Sequence, residues 1–320
     1  MKSTFTTAAA FRQERDFGNK IAATFECITA HWRPLGKCLV YFVLPAALLM
    51  GVGLGLITNF ALNSMGKPYG PVAPGELFNA SYFSGMGITM LGGMLAGVML
   101  MGTVYGYVRV ILTAEAVPAP AAVWQVIKGR LGRMLGAFGL LFGLYLLVML
   151  ALTSLMAITS FFGLLFLVIF PLFLYVMVPL TLYFPILWLE DDNLWQSLRR
   201  SFYLVQGKWW STFGLIMVTS MIQMMLCFIF ILPQYAVMVG KMLNVPGLDS
   251  DALGIATQCL YALGIMFTAA IPLLAVAFQY FNLVERKEGL GLRSLIGSIG
   301  QSPTPLAYNQ TYRADEEGEY

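Results

Sequence analysis

The chain has one histidine, His31, in 320 residues. Membrane zinc hydrolases and iron oxygenases gather several His or carboxylate ligands at one centre, and one imidazole cannot build such a site. Cysteine is equally sparse. Cys27, Cys38, Cys227 and Cys259 form no Cys-x-x-Cys pair and read as free buried thiols. Gly-x-Ser-x-Gly, a signature of serine nucleophiles, is missing, and nothing resembles a nucleic-acid motif. Charged residues make up 11% of the chain. Soluble domains carry roughly 25%, so a soluble fold is close to excluded. No charge lies deep in an apolar run: Arg109, Glu115, Glu190 and Glu285 all fall near run ends. That argues against a proton-coupled pump and against a buried acid–base pair. The first 37 residues are polar and the first apolar run is long enough to remain as a span, so no cleavable signal is expected.

What the chain has is apolar length. Apolar residues are 58% of the sequence, and a span needs about 20 of them in a row. Six runs qualify: Cys38–Phe60, Ser84–Leu112, Met134–Ile158, Phe162–Leu189, Thr212–Leu232 and Ala252–Val284. The expected fold is all-α, a polytopic membrane bundle of about six transmembrane helices with three interfacial amphipathic helices. Residues 1–37 form an arm with an amphipathic helix, 38–284 the transmembrane domain, and 285–320 a tail. The tail's acidic end, Asp315-Glu316-Glu317-Gly318-Glu319, is expected to be disordered.

The distribution of charge predicts topology. Of 19 Lys and Arg, only Lys67 and Lys241 fall in the loops placed outside, Asn63–Asn79 and Pro233–Asp251, where Pro233 is expected to end a span. The bias puts both termini in the cytoplasm, as in a bacterial inner-membrane protein. All six tryptophans, Trp32, Trp124, Trp188, Trp195, Trp209 and Trp210, stand where an apolar run meets a basic segment. They are expected to anchor the chain at the headgroup layer, where indole is apolar in body and wet at its N–H.

The chain reads as one parallel unit written three times: an amphipathic stretch, a basic hinge, then two spans. The stretches run Phe17, Ile21, Phe25, Ile28, Trp32; then Val123, Ile127, Leu131, Met134; then Leu194, Leu198, Phe202, Val205, all at steps of three or four. The hinges are Arg33 to Lys37, Gly129 to Arg133, and Gln206 to Trp209. The span exits run Tyr107 to Glu115, Tyr183 to Glu190 and Phe278 to Glu285. Pro118 and Pro120 suit the start of the second stretch, Asp191, Asp192 and Asn193 the start of the third, and Gly207 its stop.

Polar residues inside spans, Gln223, Gln258, Gln279, Asn59, Thr153, Ser154 and Ser220, fit helix–helix hydrogen bonding better than a substrate site. Glycines four apart, such as Gly51/Gly55, Gly93/Gly97, Gly102/Gly106 and Gly139/Gly143, fit close packing better than an acyl-chain cleft. Pro171, Pro179 and Pro185 in one span fit a broken helix beside a cavity and a curved bundle equally well.

The segment from Leu194 to Trp210, with its Arg-Arg-Ser-Phe-Tyr run followed by Gly-Lys-Trp-Trp, resembles the membrane domain of glycerophosphoryl diester phosphodiesterases and the YciC-like proteins. The opening, Phe11 to Gly18, is similar to that of Bacteroidetes membrane proteins. The resemblance covers the last four spans and implies a helical membrane domain. It implies no phosphodiesterase activity, because that family's soluble catalytic domain and its metal-binding His and Glu residues have no counterpart here.

The leading expectation is a non-enzymatic protein, without cofactors, that binds or organises lipid or assists an envelope complex. The alternative is a transporter or exporter of a lipid or hydrophobic small molecule. Anionic membrane lipids are the expected partners, with a membrane protein as a further one and no nucleic acid. Arg199, Arg200, Lys208, Arg130 and Arg133 are the candidates for holding lipid headgroups, because guanidinium and ammonium groups pair with phosphate.

Overall fold

The structure, a computed structural model, describes residues 5–65, 80–114, 117–158, 162–243 and 245–289. Among them lie ten helices: α1 (Ala8–Phe11), α2 (Phe17–Phe42), α3 (Leu44–Met65), α4 (Ala80–Ala114), α5 (Pro120–Ile158), α6 (Phe162–Leu189), α7 (Leu194–Val205), α8 (Trp209–Met242), α9 (Asp251–Thr268) and α10 (Ala270–Glu288). Six stretches are long and apolar enough to cross a membrane: one each in α3, α4, α5, α6 and α8, and one formed by α9 and α10 in succession. The chain is an all-α, multi-pass membrane bundle.

Local chemistry sets several boundaries. α5 begins at Pro120, where a missing N–H costs nothing. α7 begins after Asn193, whose N–H donates to Gln196 Oε1 at 3.2 Å. It ends at Gly207, which takes φ +82°, a left-handed conformation suited to glycine.

The packing follows the expected three units. The C-terminal parts of α4, α6 and α10 touch one another, and their ends converge: Arg109 Nη1 donates to Trp188 O at 2.8 Å, and Tyr280 Oη to Glu190 Oε1 at 2.6 Å. Around them, α2 packs against α10 and α4, the first part of α5 against α4 and α6, and α7 against α6 and α10. Each amphipathic stretch thus bridges its own unit's exit helix and the preceding unit's, and α2 closes the ring. Tyr107, Tyr183 and Phe278, at corresponding places in the three exits, are all fully buried.

At the other end the helices pair differently. α3 lies between α4 and α9, and α9 against α8. The intramembrane polar residues bond across these seams. Gln258 Nε2 donates to Thr58 Oγ1 at 2.9 Å, Asn59 Nδ2 to Asp251 O at 2.8 Å, and Gln223 Nε2 to Ile265 O at 3.4 Å. Glycines permit the closeness. A Cβ on Gly51 would stand 2.5 Å from Cys259 Cα, and one on Gly55 2.7 Å from Ile255 Cα.

Several expectations need correction. The hinges at 33–37 and 129–133 are not breaks: α2 runs through Pro34, and α5 through Gly129 and Gly132. The second amphipathic stretch is therefore the first third of a 39-residue helix rather than a separate element. Pro233 lies inside α8, which continues to Met242, so the outer loop there is shorter than expected. Lys241 is not a loop residue but caps this seam, its Nζ 2.7 Å from both Asn59 Oδ1 and Asp251 Oδ1. α6 is unbroken despite Pro171, Pro179 and Pro185. Prolines in apolar helices are tolerated where other donors satisfy the carbonyls they free. Most of the expected Asn63–Asn79 loop, with Lys67, and the tail from residue 290, with its acidic end, lie outside the described residues.

Candidate functional site

Of the five expected lipid-binding side chains, three, Arg130, Arg133 and Arg200, are engaged within the protein, while Arg199 and Lys208 are exposed. Helix α6 ends with carbonyls that no downstream N–H satisfies. Arginines from two other helices fill that role. Arg130 Nη1 donates to Leu187 O at 2.8 Å and Glu190 O at 3.1 Å, and Arg133 Nη2 donates to Asp191 O at 2.8 Å. Arg109 donates to Trp188 O and, like Arg130, pairs with Asp191. Burial pushes the Asp191 carboxyl upward, but Arg109 and Arg130 together hold it below the ordinary aspartate range. Arg130 and Arg133 are therefore caps on the negative end of α6, with much of their hydrogen-bonding capacity spent there.

Arg200 is also engaged within the protein. Its guanidinium pairs with Glu190 and lies 2.8 Å from Glu288 Oε1, joining α6, α7 and α10. Burial pushes the Glu190 carboxyl upward, against the pull of Tyr280 and Arg200. The expectation that Arg199 and Arg200 act as a pair fails for a geometric reason. They are 100° apart around α7, so one faces in and the other faces out. Arg199 is exposed and makes no ion pair among the described residues.

The tryptophans divide likewise. Trp188 is only 1% exposed, packed over Gly102 and Gly106, with Nε1 3.2 Å from Met134 Sδ. It is a core residue and not an interfacial anchor. Trp32, Trp124, Trp195 and Trp210 are exposed. Trp209 is half-buried, stacked on Tyr175 and Phe213. Its Nε1 donates to Tyr175 O at 3.1 Å, the carbonyl that Pro179, four residues on, leaves without an N–H.

The most concentrated polar site lies where the ring closes, between α2, α8 and α10. It is a cavity of about 100 Å³ lined by Arg15, Asp16, Lys20, Lys208, Ser211 and Asn282, among others. Asp16, Lys208 and Arg286 form an exposed rim, while Lys20, Gln279 and Asn282 form a buried floor. Lys20 is 2% exposed. Its Nζ donates to Gln279 Oε1 at 2.7 Å and to Ser211 Oγ at 3.2 Å. Gln279 Nε2 in turn donates to Thr212 Oγ1 at 2.8 Å, which fixes the amide's direction. Asn282 Oδ1 accepts from Arg15 N–H at 2.9 Å. Burial, with help from Arg286 and Lys208, brings the Lys20 ammonium down to about 8, against the opposing pull of Asp16.

Of this cavity, sequence reasoning singled out only Lys208 as a binding residue, and noted Gln279 as an internal hydrogen-bonder. Lys20 was legible in principle. It falls in register with Ala23, Thr24, Cys27 and His31, the face of α2 that is buried. A second feature is an apolar groove of about 360 Å³ lined by Pro171, Leu174, Tyr175, Trp209 and Trp210. Among the described residues, no three His, Cys, Asp or Glu side chains converge on a point where a metal ion would sit. No family model matches the chain, and neither a curated protein nor a solved structure matches it.

Proposed function

We propose that this is a non-enzymatic, multi-pass protein of the bacterial inner membrane, both termini cytoplasmic, that binds and organises anionic phospholipid at its basic end. The observation that carries this reading is the outward face of α7. Trp195, Arg199, Phe202 and Tyr203 are all exposed there, at spacings of three and four that put them on one side of the helix. Aromatic rings around a guanidinium suit the headgroup layer of an anionic membrane. α2 supports the same reading from the opposite direction. Its apolar stripe, Phe17, Ile21, Phe25, Ile28 and Trp32, is not its buried face but its half-buried to exposed one. An apolar stripe that protein covers only in part suits lipid. Kinship with the phosphodiesterase membrane domain is part of this proposal and rests on the 194–210 segment.

The test is lipid retention. The full chain is placed in nanodiscs of mixed neutral and anionic lipid, released, and weighed by native mass spectrometry. Trp195→Ala with Arg199→Gln is expected to reduce retained phosphatidylglycerol while melting is unchanged. An unchanged lipid ratio in the folded double variant would overturn the reading.

A second reading, export of a lipid or hydrophobic small molecule, has one observation in its favour. Residues 144–151 of α5 are exposed on every side, so this stretch of α5 stands apart from α3, α4, α8 and α9. A gap of that kind admits a lipid or a partner helix. Flux of labelled lipid in proteoliposomes separates export from binding.

A further inference from the structure

Two buried lysines stand at opposite ends of the molecule, and they are treated differently. Lys241 is matched by a carboxylate, Asp251 Oδ1, at 2.7 Å. Lys20 is not: its partners are the amide oxygen of Gln279 and the hydroxyl of Ser211, with the Phe17 ring 5.9 Å away, all of them neutral. A buried ammonium is costly unless paired with an opposite charge. A lysine recruited only to knit helices together would be paired like Lys241. Its two bonds also leave one of its three N–H groups for another acceptor.

The surroundings sharpen this contrast. Four cations, Arg15, Lys20, Lys208 and Arg286, line the cavity. Against them stand Asp16 on the rim and Glu14, whose Oε2 is 3.8 Å from Arg286 Nε. Arg15 is partly occupied, since its Nη1 donates to Phe11 O at 3.0 Å and its Nη2 to Ala10 O. Lys208 makes no ion pair among the described residues. Two helices, α2 and α8, begin at the cavity, and neither has a side chain bonded to its first-turn N–H groups. Those free N–H groups and the helix dipoles add positive potential from two directions.

We propose that this cavity is a binding site for a phosphate-bearing anion, with Lys20 as its floor ligand and Lys208 and Arg286 closing over it from the rim. The volume of about 100 Å³ suits a tetrahedral oxyanion and not a whole nucleotide. The oxyanion comes either from a free phosphate or from the headgroup of an anionic lipid entering from the membrane side. None of the four α7-face residues lines this cavity, so the two sites can be tested with different variants.

Lys20 also sets a pH dependence. The groups facing it are Arg15 and Asp16 ahead of α2, Lys208 just ahead of α8 and Arg286 on α10. With its ammonium brought down to about 8, Lys20 is mostly charged at pH 7 and mostly neutral at pH 9. Anion affinity should therefore fall across that interval.

The experiment titrates the full chain, in an uncharged detergent, with inorganic phosphate and separately with short-chain phosphatidylglycerol. Wild type, Lys20→Met, Lys208→Gln and, as a control away from the cavity, Lys128→Gln are compared. Wild type and Lys128→Gln are expected to bind. Lys20→Met should lose at least tenfold in affinity, and Lys208→Gln a fewfold with unchanged melting, so the test survives if Lys20→Met does not fold. The wild-type affinity for phosphatidylglycerol, whose phosphodiester keeps the same charge throughout, should fall several-fold from pH 7 to pH 9, and that fall should vanish in Lys20→Met. Saturable phosphate binding assigns the site to free phosphate; binding of the lipid alone assigns it to a headgroup. The proposal is overturned if wild type binds neither probe, or if Lys20→Met and Lys208→Gln bind as wild type does. Lipid retention that depends on Arg199 and not on Lys20, with no phosphate binding, would leave the α7 reading standing and remove this one.

Discussion

Helices α3 and α5 look alike on paper: both are long, apolar and rich in glycine. In the fold they are opposites. α3 is gripped on two sides, with Gly51 and Gly55 against the backbone of α9, Gly53 against α4, and Gly92 of α4 against the backbone of Met50. α5 packs well only in its first part. Beyond that, Gly139 and Gly143 have nothing within 4 Å of where a Cβ would be, and residues 144–151 are bare. The same spacing of small residues is thus a seam in one helix and an unused surface in the other. Small residues permit close approach between helices but do not demand it.

The sharpest way to break that comparison is to add bulk. Gly51→Leu would drive a side chain into Cys259 and is expected to cost about 3 kcal/mol, at the upper end of overpacking effects. Gly143→Leu, with nothing within 4 Å of its Cβ position, should cost less than about 0.5 kcal/mol. Unfolding midpoints in detergent measure both. Equal damage from the two would mean that α5 is covered by a partner in solution.

Next in size is the arginine cap on α6. Arg130→Met strands the carbonyls of Leu187 and Glu190 and should cost about 1–3 kcal/mol. Asp191→Asn, at a side chain 75% exposed, should cost less than about 1 kcal/mol. If the two losses match, the ion pair and not the carbonyl capping is what holds this junction. Smaller again is Trp209→Phe, which keeps a ring over Tyr175 but loses the bond to its carbonyl. About 0.5–1.5 kcal/mol is expected, read as a lower melting temperature. Trp210→Ala, at an exposed ring, should move the melting temperature least.

Much of the architecture was legible because membranes impose simple rules. Apolar length marked the spans, Pro120 and Asn193 marked helix starts, and Gly207 marked a stop. What failed did so for tertiary reasons. Gly129 and Pro34 read as hinges, yet packing of α5 on α4 and of α2 on α10 holds both helices continuous. Trp188 shares its composition and flanks with the exposed tryptophans; only the glycine-lined bay on α4 makes it a core residue. The apolar stripe of α2 was visible, but its direction was not. Soluble helices turn such a stripe inward, and this one turns Lys20, Thr24, Cys27 and His31 inward instead. Arg130, Arg133 and Arg200 were placed correctly in the sequence and wrongly in space. A guanidinium that can hold a phosphate can also hold a helix end or a carboxylate.

The closing of the ring by α2 and α10 has a consequence for how the chain is made. Lys20 and Gln279 are 259 residues apart. At about 5–20 residues per second, translation leaves the lysine waiting on the order of tens of seconds for the amide that will receive it. Throughout that interval the first amphipathic helix must rest somewhere else, and the outward stripe from Phe17 to Trp32 offers the bilayer surface as a berth. Only when α10 emerges does the cavity acquire its floor, so a truncated chain would carry the basic residues of α2 and α8 without the site they build together.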